Sequence, residues 1–174
     1  MLKVELLSRA HDRASFDCGS EALNVYLRQT ARQHTERGIS RTFVLADETA
    51  AEPKPILGFF TLNICQLRAE QLPPELARKL PREISGLKLG RLAIARDRQR
   101  QGLGGVLLVA AMRKVIEVFE SAGGIGLFVD AKDEAARSYY ERFGFIPLSD
   151  EPLQLFLPLQ SLREALADAN QQPG

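Results

Sequence analysis

Long apolar runs are absent from this chain. The longest unbroken one is Val106–Met112, far short of the ~20 residues a membrane helix needs, so no membrane segment is expected. The sequence opens Met1-Leu2-Lys3-Val4-Glu5, without the apolar core of a secretion signal. Cysteine is scarce. Cys18 and Cys65 make neither a disulfide framework nor a zinc site, and each is expected to be a small reduced residue of a cytoplasmic protein. His11 and His34 are the only histidines. Neither has catalytic spacing, both are expected on the surface or a helix face, and no metal is expected. Internal repeats and low-complexity tracts are also missing. What is present is ordinary: 174 residues, 45% hydrophobic and 26% charged, the balance of one globular domain large enough for a core without staples.

A net charge of +1 hides an uneven distribution. Residues 1–116 hold 19 Lys/Arg against 12 Asp/Glu, whereas residues 117–174 hold 4 against 10. Between Arg78 and Arg100, eight basic residues stand against Glu83 and Asp97. Such a segment suits either an anionic partner or a solvated face paired with the acidic end.

Alternating apolar residues predict strands at Lys3–Leu7, Arg41–Ala46, Ile56–Ile64, Leu87–Ile94, Gly126–Val129, Phe145–Leu148 and Leu153–Leu157. A 3.6-residue period predicts a helix over Ser20–Thr35, capped by Ser20 and stopped by Gly38. A second helix is predicted at Gly102–Ser121 and a third at Asp133–Phe143, with Gly144 as its left-handed stop. From Val106 to Met112 the second helix is apolar nearly all round, so its first half is expected to be buried. Leu72–Pro81 reads as a short helical or looped excursion, and Asn170–Gly174 as a frayed end. A hairpin followed by alternating strands and helices makes a mixed α/β sheet, with Leu87–Val129 as a parallel crossover.

The most informative stretch is Leu87–Gly105, in which a strand runs into a glycine-rich turn that opens an apolar helix. Glycines at 102, 104 and 105 permit close backbone approach, and a helix start adds free N–H donors and the positive end of the dipole, a combination suited to pyrophosphate. It is no dinucleotide fingerprint, because Leu107 replaces the third glycine, and no Walker loop, because no Gly-Lys-Ser/Thr follows.

Gln99-x-x-Gly102-x-Gly104 resembles the coenzyme A motif of the GNAT N-acetyltransferases, and Ala135–Phe145 resembles that family's A-x-x-x-Y-x-x-x-GF signature. A narrower series, Phe16-Asp17-Cys18-Gly19, Arg41-Thr42-Phe43-Val44, Gly58–Leu62 and Leu89–Ile94, is similar to the GNAT toxins of type II toxin–antitoxin systems, which acetylate the α-amine of aminoacyl-tRNA. The resemblance implies an α/β GNAT fold: a single mixed, partly parallel sheet with a splayed central strand pair, flanked by helices. Residues 1–160 would form the acetyltransferase domain and 161–174 a C-terminal helix or tail. It implies acetyl-CoA as cosubstrate and no metal. Leu92, Ala93 and Ile94 would hold the pantetheine arm, with Gln99, Arg100, Gln101, Gly102, Leu103, Gly104 and Gly105 around the pyrophosphate. Ser138 stands where the family often has Asn, and Tyr140 would serve as general acid beside the sulfur. Arg78, Lys79, Arg82, Lys88 and Arg91 would bind tRNA phosphates. The implied partners are aminoacyl-tRNA, a cognate antitoxin and a second copy of the chain, in the cytoplasm.

The residues add a mechanistic reason. Leu87–Ile94 carries no Asp, Glu or His, so no general base faces the acetyl group. At pH 7 a lysine amine of pKa ~10.4 is about 0.04% neutral, whereas an α-amine of pKa ~7.8 is roughly 14% neutral. A site without a strong base therefore favours α-amines. A backbone N–H near Leu92–Ile94 would polarise the carbonyl, and a phenol lies within ~1.5 pKa units of a thiol, close enough to protonate it. Tyr139 is expected to pack rather than react. Two other readings stand beside this one: acetylation of a small or protein amine, and a GNAT domain that binds without catalysis.

Overall fold

In the computed structural model, residues 1–171 are described; the last three positions of the expected frayed end lie outside them. The chain divides into two compact units, Met1–Asn63 with Gly90–Ala111, and Ile64–Leu89 with the chain from Met112 onward.

In the first unit the strands are β1 (Leu2–Leu6), β3 (Arg41–Asp47) and parts of β5 (Gly58–Arg68) and β6 (Glu83–Ile94), hydrogen-bonded in that order. β1–β3 and β3–β5 are antiparallel, with Val44 opposite Phe59 and Thr42 opposite Thr61. Those registers put Val44 and Phe59 into a core with Phe16, Tyr26, Leu27, Ala31, Ile56 and Ala93. The predicted Ser20–Thr35 helix is three segments: α1 (Glu21–Val25), a π-helical turn over Tyr26–Thr30, and α2 (Ala31–Glu36). The Ser20 hydroxyl caps α1 by accepting from Leu23 N–H, and Gly38 has the positive φ of a helix stop. Within the widened turn Tyr26 and Leu27 are buried, and the Tyr26 ring stacks on Phe59 at 6.3 Å.

His11 is not the surface residue expected of it. It lies on β2 (His11–Asp12), a short strand parallel to β4 (Lys54–Pro55), and is 5% exposed. Its Nδ1 accepts from Ser8 N–H, so Nε2 carries the proton toward Glu5 at 2.7 Å. Lys54 reaches the other Glu5 oxygen at 3.3 Å. The His11 bond and Lys54 hold the Glu5 carboxyl below its usual range, in a part-buried cluster of paired charges.

The second unit orders β6, β7 (Gly126–Asp130), β9 (Gln154–Pro158) and β8 (Ile146–Pro147). β6 and β7 pair parallel at Leu87–Leu127 and Leu89–Val129, as the crossover required, and β9 is antiparallel to both its neighbours. Phe128 and Phe156 stack at 4.7 Å beside Ile84, Leu72 and Leu148. That stack explains glycine at position 86: a Cβ there would lie 2.7 Å from the Phe128 ring and from the Gly126 carbonyl. α3 is a single turn, Pro74–Ala77, and α6 covers Leu159–Gln171.

α4 (Leu103–Ala122) begins in the first unit and ends in the second. Leu107, Leu108, Ala111, Met112, Val115 and Phe119 form its buried stripe. The expected burial of its whole first half does not hold, because Val106 is 48% exposed. One face suffices to anchor an amphipathic helix, and an isolated exposed valine is ordinary.

Candidate active site

The site residues expected from the sequence fall into two sets, one in each unit. The first begins on β6. Gly90 faces Thr61, while Ala93 packs in one core cluster with Phe59. Phe59 and Thr61 share a face of β5, so Gly90 and Ala93 do too, although they are three positions apart. A strict two-residue alternation does not allow this. The strand alternation is therefore irregular between Gly90 and Ala93.

After Ile94 the chain makes a 3₁₀ turn at Arg96–Arg98 and enters the glycine loop. Gln99 acts as a strut, with Nε2 donating to the carbonyls of Cys18 at 2.8 Å and Ile94 at 3.0 Å. This bond joins the end of the Leu92-Ala93-Ile94 stretch to the loop. Arg100 has φ 65° and Gly102 φ 79°. For Arg100 that is a sparsely populated conformation. A Cβ on Gly102 would meet nothing within 4 Å, so the loop leaves open space on that side. Val106 N–H bonds Gly102 O at 3.3 Å, which leaves the amides of Leu103, Gly104 and Gly105 without an acceptor inside the helix. Gln101 and Gly102 are exposed. Open space beside unspent N–H groups at the positive end of a 20-residue helix fits a pyrophosphate.

The second set lies on α5 (Glu134–Glu141), capped by the Asp133 carboxylate on Ala136 N–H and followed by Gly144 at φ 99°. Tyr140 is half-buried, with its ring edge-on to Tyr139 and to the buried Phe145, each at 5.5 Å. Burial, with a smaller contribution from Tyr139, pushes its phenol up to about 12. The proton is therefore held firmly at neutral pH, and the gap to a thiol is wider than the unperturbed values suggest. Tyr139 packs edge-on against Tyr140 and Phe143. Ser138, two residues before Tyr140, is exposed. Burial lifts the Cys65 thiol to about 11, which removes it as a nucleophile. Among the described residues no group of three or more His, Cys, Asp or Glu is placed to hold a metal ion, and no helix is long and apolar enough to cross a membrane.

The basic residues are placed in different ways. Arg78, Lys79 and Arg82 are exposed at and after the end of α3. Lys88 is tied to Asp130 at 2.5 Å, which partly cancels its charge. Arg91, in the first unit, stacks its guanidinium 3.6 Å from the Tyr26 ring centroid. The Tyr26 hydroxyl in turn bonds Ser40 at 3.1 Å. Stacking occupies the face of the guanidinium and leaves its edge N–H donors.

Residues 38–147 match the model of the acetyltransferase (GNAT) domain. The chain belongs to this family. It is 30% identical over 162 residues to the tRNA-acetylating toxin of Mycobacterium tuberculosis, covering 93% of this chain and 95% of that one. Among solved structures, AtaT complexed with acetyl-methionyl-tRNAfMet matches with a TM-score of 0.86 at 34% identity, over 94% of this chain and 98% of that one. A mutant AtaT toxin bound to the C-terminus of the antitoxin AtaR and acetyl-CoA matches with a TM-score of 0.77 at 32% identity, over 98% and 99%. The matched residues include β6, the glycine loop and the A-x-x-x-Y helix, in this order.

Proposed function

We propose that this chain is an acetyl-CoA-dependent N-acetyltransferase that acts on the α-amine of aminoacyl-tRNA as the toxin of a toxin–antitoxin pair, with residues 1–160 as its catalytic domain. The observation that carries this reading is the glycine loop at the start of α4, with its open side at Gly102 and unspent amides at Leu103, Gly104 and Gly105. Gln99 fixes that loop to Ile94, and Arg100 and Gln101 complete it.

Acetyl-CoA supplies the acetyl group as a thioester. The chain's residues do the rest. Leu92, Ala93 and Ile94 hold the pantetheine arm along β6, with Ser138 as a further contact. A backbone N–H released by the strand irregularity polarises the acetyl carbonyl. As the amine nitrogen bonds to the acetyl carbon and the carbon–sulfur bond breaks, Tyr140 gives its proton to sulfur. The proton lost by nitrogen passes to solvent and restores the phenol. Burial that raises Tyr140 also disfavours a thiolate in the same surroundings, so the transfer stays feasible. Because β6 from Leu87 to Ile94 offers no base, the acceptor must bind in its neutral form, which at pH 7 is roughly 14% of an α-amine but only about 0.04% of a lysine amine.

Arg78, Lys79, Arg82 and Arg91 provide phosphate contacts, with Lys88 a weaker one because of Asp130. The toxin role implies a cognate antitoxin, and we further infer a homodimer working in the cytoplasm. The test is to incubate the protein with acetyl-CoA and a mixture of charged tRNAs and identify the aminoacyl adducts that gain acetyl. Acetylation only of free amines, with no dependence on salt, would replace this reading with the small-amine one.

A further inference from the structure

β1 is the outermost strand of its sheet. β3 pairs with one side of it, and among the described residues no strand lies on the other. Two bonds fix which way its backbone groups point. Leu7 N–H bonds Thr42 O at 2.9 Å and Glu48 N–H bonds Met1 O at 3.0 Å, so Met1 and Leu7 turn their backbone groups toward β3. By alternation Lys3 and Glu5 do the same, and the N–H and C=O groups of Leu2, Val4 and Leu6 point outward. Met1, Leu2 and Leu6 are 83%, 44% and 56% exposed, a row of apolar side chains along an unpaired edge. Such an edge is a template for another strand. Its own sequence, Leu2-Lys3-Val4-Glu5-Leu6, says which one. Reversed, the segment has the same apolar pattern with the two charges exchanged.

We propose that β1 pairs antiparallel with β1 of a second copy of this chain, about a two-fold axis at Val4. This deepens the homodimer reading above by naming its surface. Leu2 then faces Leu6 of the second copy on one side of the sheet, and Lys3 faces the second copy's Glu5 on the other. Leu2, Val4 and Leu6 fall at hydrogen-bonded positions, where each pair exchanges two bonds through the outward groups. Lys3 and Glu5 fall at the positions between, where side chains approach most closely. Lys3 is exposed and makes no ion pair among the described residues. The Glu5 carboxylate is held in place by His11 at 2.7 Å and Lys54 at 3.3 Å, yet its side chain is still 21% exposed. Other registers are disfavoured. An axis between two residues would set outward groups against inward ones. An axis at Lys3 or at Glu5 would set like charges against each other. β3 and β5 separate β1 from β6, so the pairing does not involve the strand assigned to acetyl-CoA.

The test follows the full chain by sedimentation velocity over a concentration series, and wild-type amide exchange by NMR at both ends of that series. A five-residue edge is a small interface, so monomer and dimer should interconvert with concentration. Lys3→Glu turns both opposite-charge pairs into like-charge pairs and should raise the dimer dissociation constant roughly tenfold. Tm of the dilute protein should not move, because Lys3 is exposed, and Lys3→Arg should keep the wild-type constant. In the dimer the amides of Leu2, Val4 and Leu6 should exchange at least about tenfold more slowly than in the monomer. Those of Lys3 and Glu5, bonded to β3, should be slow in both. A wild type that is monomeric at every concentration overturns the homodimer reading and this one together. A dimer that Lys3→Glu leaves intact, or whose Leu2, Val4 and Leu6 amides exchange as freely as in the monomer, overturns the edge pairing alone and places the dimer on another surface. If Lys3→Glu lowers Tm, the wild-type exchange pattern decides by itself.

Discussion

Tyr140→Phe keeps the ring packed against Tyr139 and Phe145 and removes only the proton. With the phenol at about 12, roughly one molecule in 10⁴ to 10⁵ is ionised at pH 7.5, against about 0.3% for an unperturbed tyrosine. The acid is therefore present across the whole working range. Its gap to a thiol of pKa ~8.5 is about 3.5 units, or about 5 kcal/mol in water; shared burial of the thiolate narrows it. Loss of general acid help should cost on the order of 10²-fold in kcat, about 2.7 kcal/mol, with acetyl-CoA affinity unchanged. The pH profile gives the sharper test. For the wild type, kcat/KM should rise through the α-amine pKa near ~7.8 and then level, with no falling limb below about pH 11. The wild-type to Tyr140→Phe ratio should stay constant from pH 6 to 10. Stopped measurements of coenzyme A release with charged tRNA would follow both. A ratio that collapses near pH 10 would mean that the phenol titrates normally, and equal kcat in the two proteins would remove Tyr140 from the chemistry.

Three further outcomes are expected. Gly102→Val forces a β-branched residue into φ 79°, a cost of roughly 1–2 kcal/mol; calorimetry should show acetyl-CoA affinity at least about tenfold weaker in a protein with wild-type circular dichroism. Replacing Arg78, Lys79 and Arg82 together with Ala should raise KM for charged tRNA and flatten a log–log salt slope expected near roughly −3 to −4 by about 2 to 3, without touching acetyl-CoA binding; an unchanged slope would deny them phosphate contact. Gly86→Ala sets a methyl 2.7 Å from Phe128 and the Gly126 carbonyl and should destabilise the protein by about 1–3 kcal/mol in urea unfolding.

Local chemistry was readable in the sequence. Ser20 as cap and Gly38 and Gly144 as stops fell where helix-end geometry needs them, and the Gln99–Gly105 loop was visible as a strand–glycine–helix junction. What escaped depends on distant partners. Burial of His11 comes from pairing with Lys54 across the sheet register, and Gly86 is explained by a ring on another strand. The Arg91–Tyr26 stack depends on a π turn that leaves no mark on residue periodicity. The extension of β5 to Arg68 was missed for another reason: the half-buried and exposed residues from Asn63 onward alternate correctly, but they are polar enough to resemble a loop.

Gln99 does more than shape the glycine loop; it ties that loop to the segment before α1. Its amide grips Cys18 and Ile94, Arg96 N–H bonds Asp17 O at 2.7 Å, and the Asp17 carboxylate accepts from Gly19 N–H and from Asn24 at 2.9 Å each. These bonds stitch the segment before α1 to the glycine loop. Bonds that hold a binding loop in shape reduce the ordering left for a ligand to impose. Cutting them, at Asp17 or Asn24, would appear as an entropic loss of affinity and a faster dissociation rate. The N-terminal segment is in that sense part of the recognition loop, though more than eighty positions away in sequence.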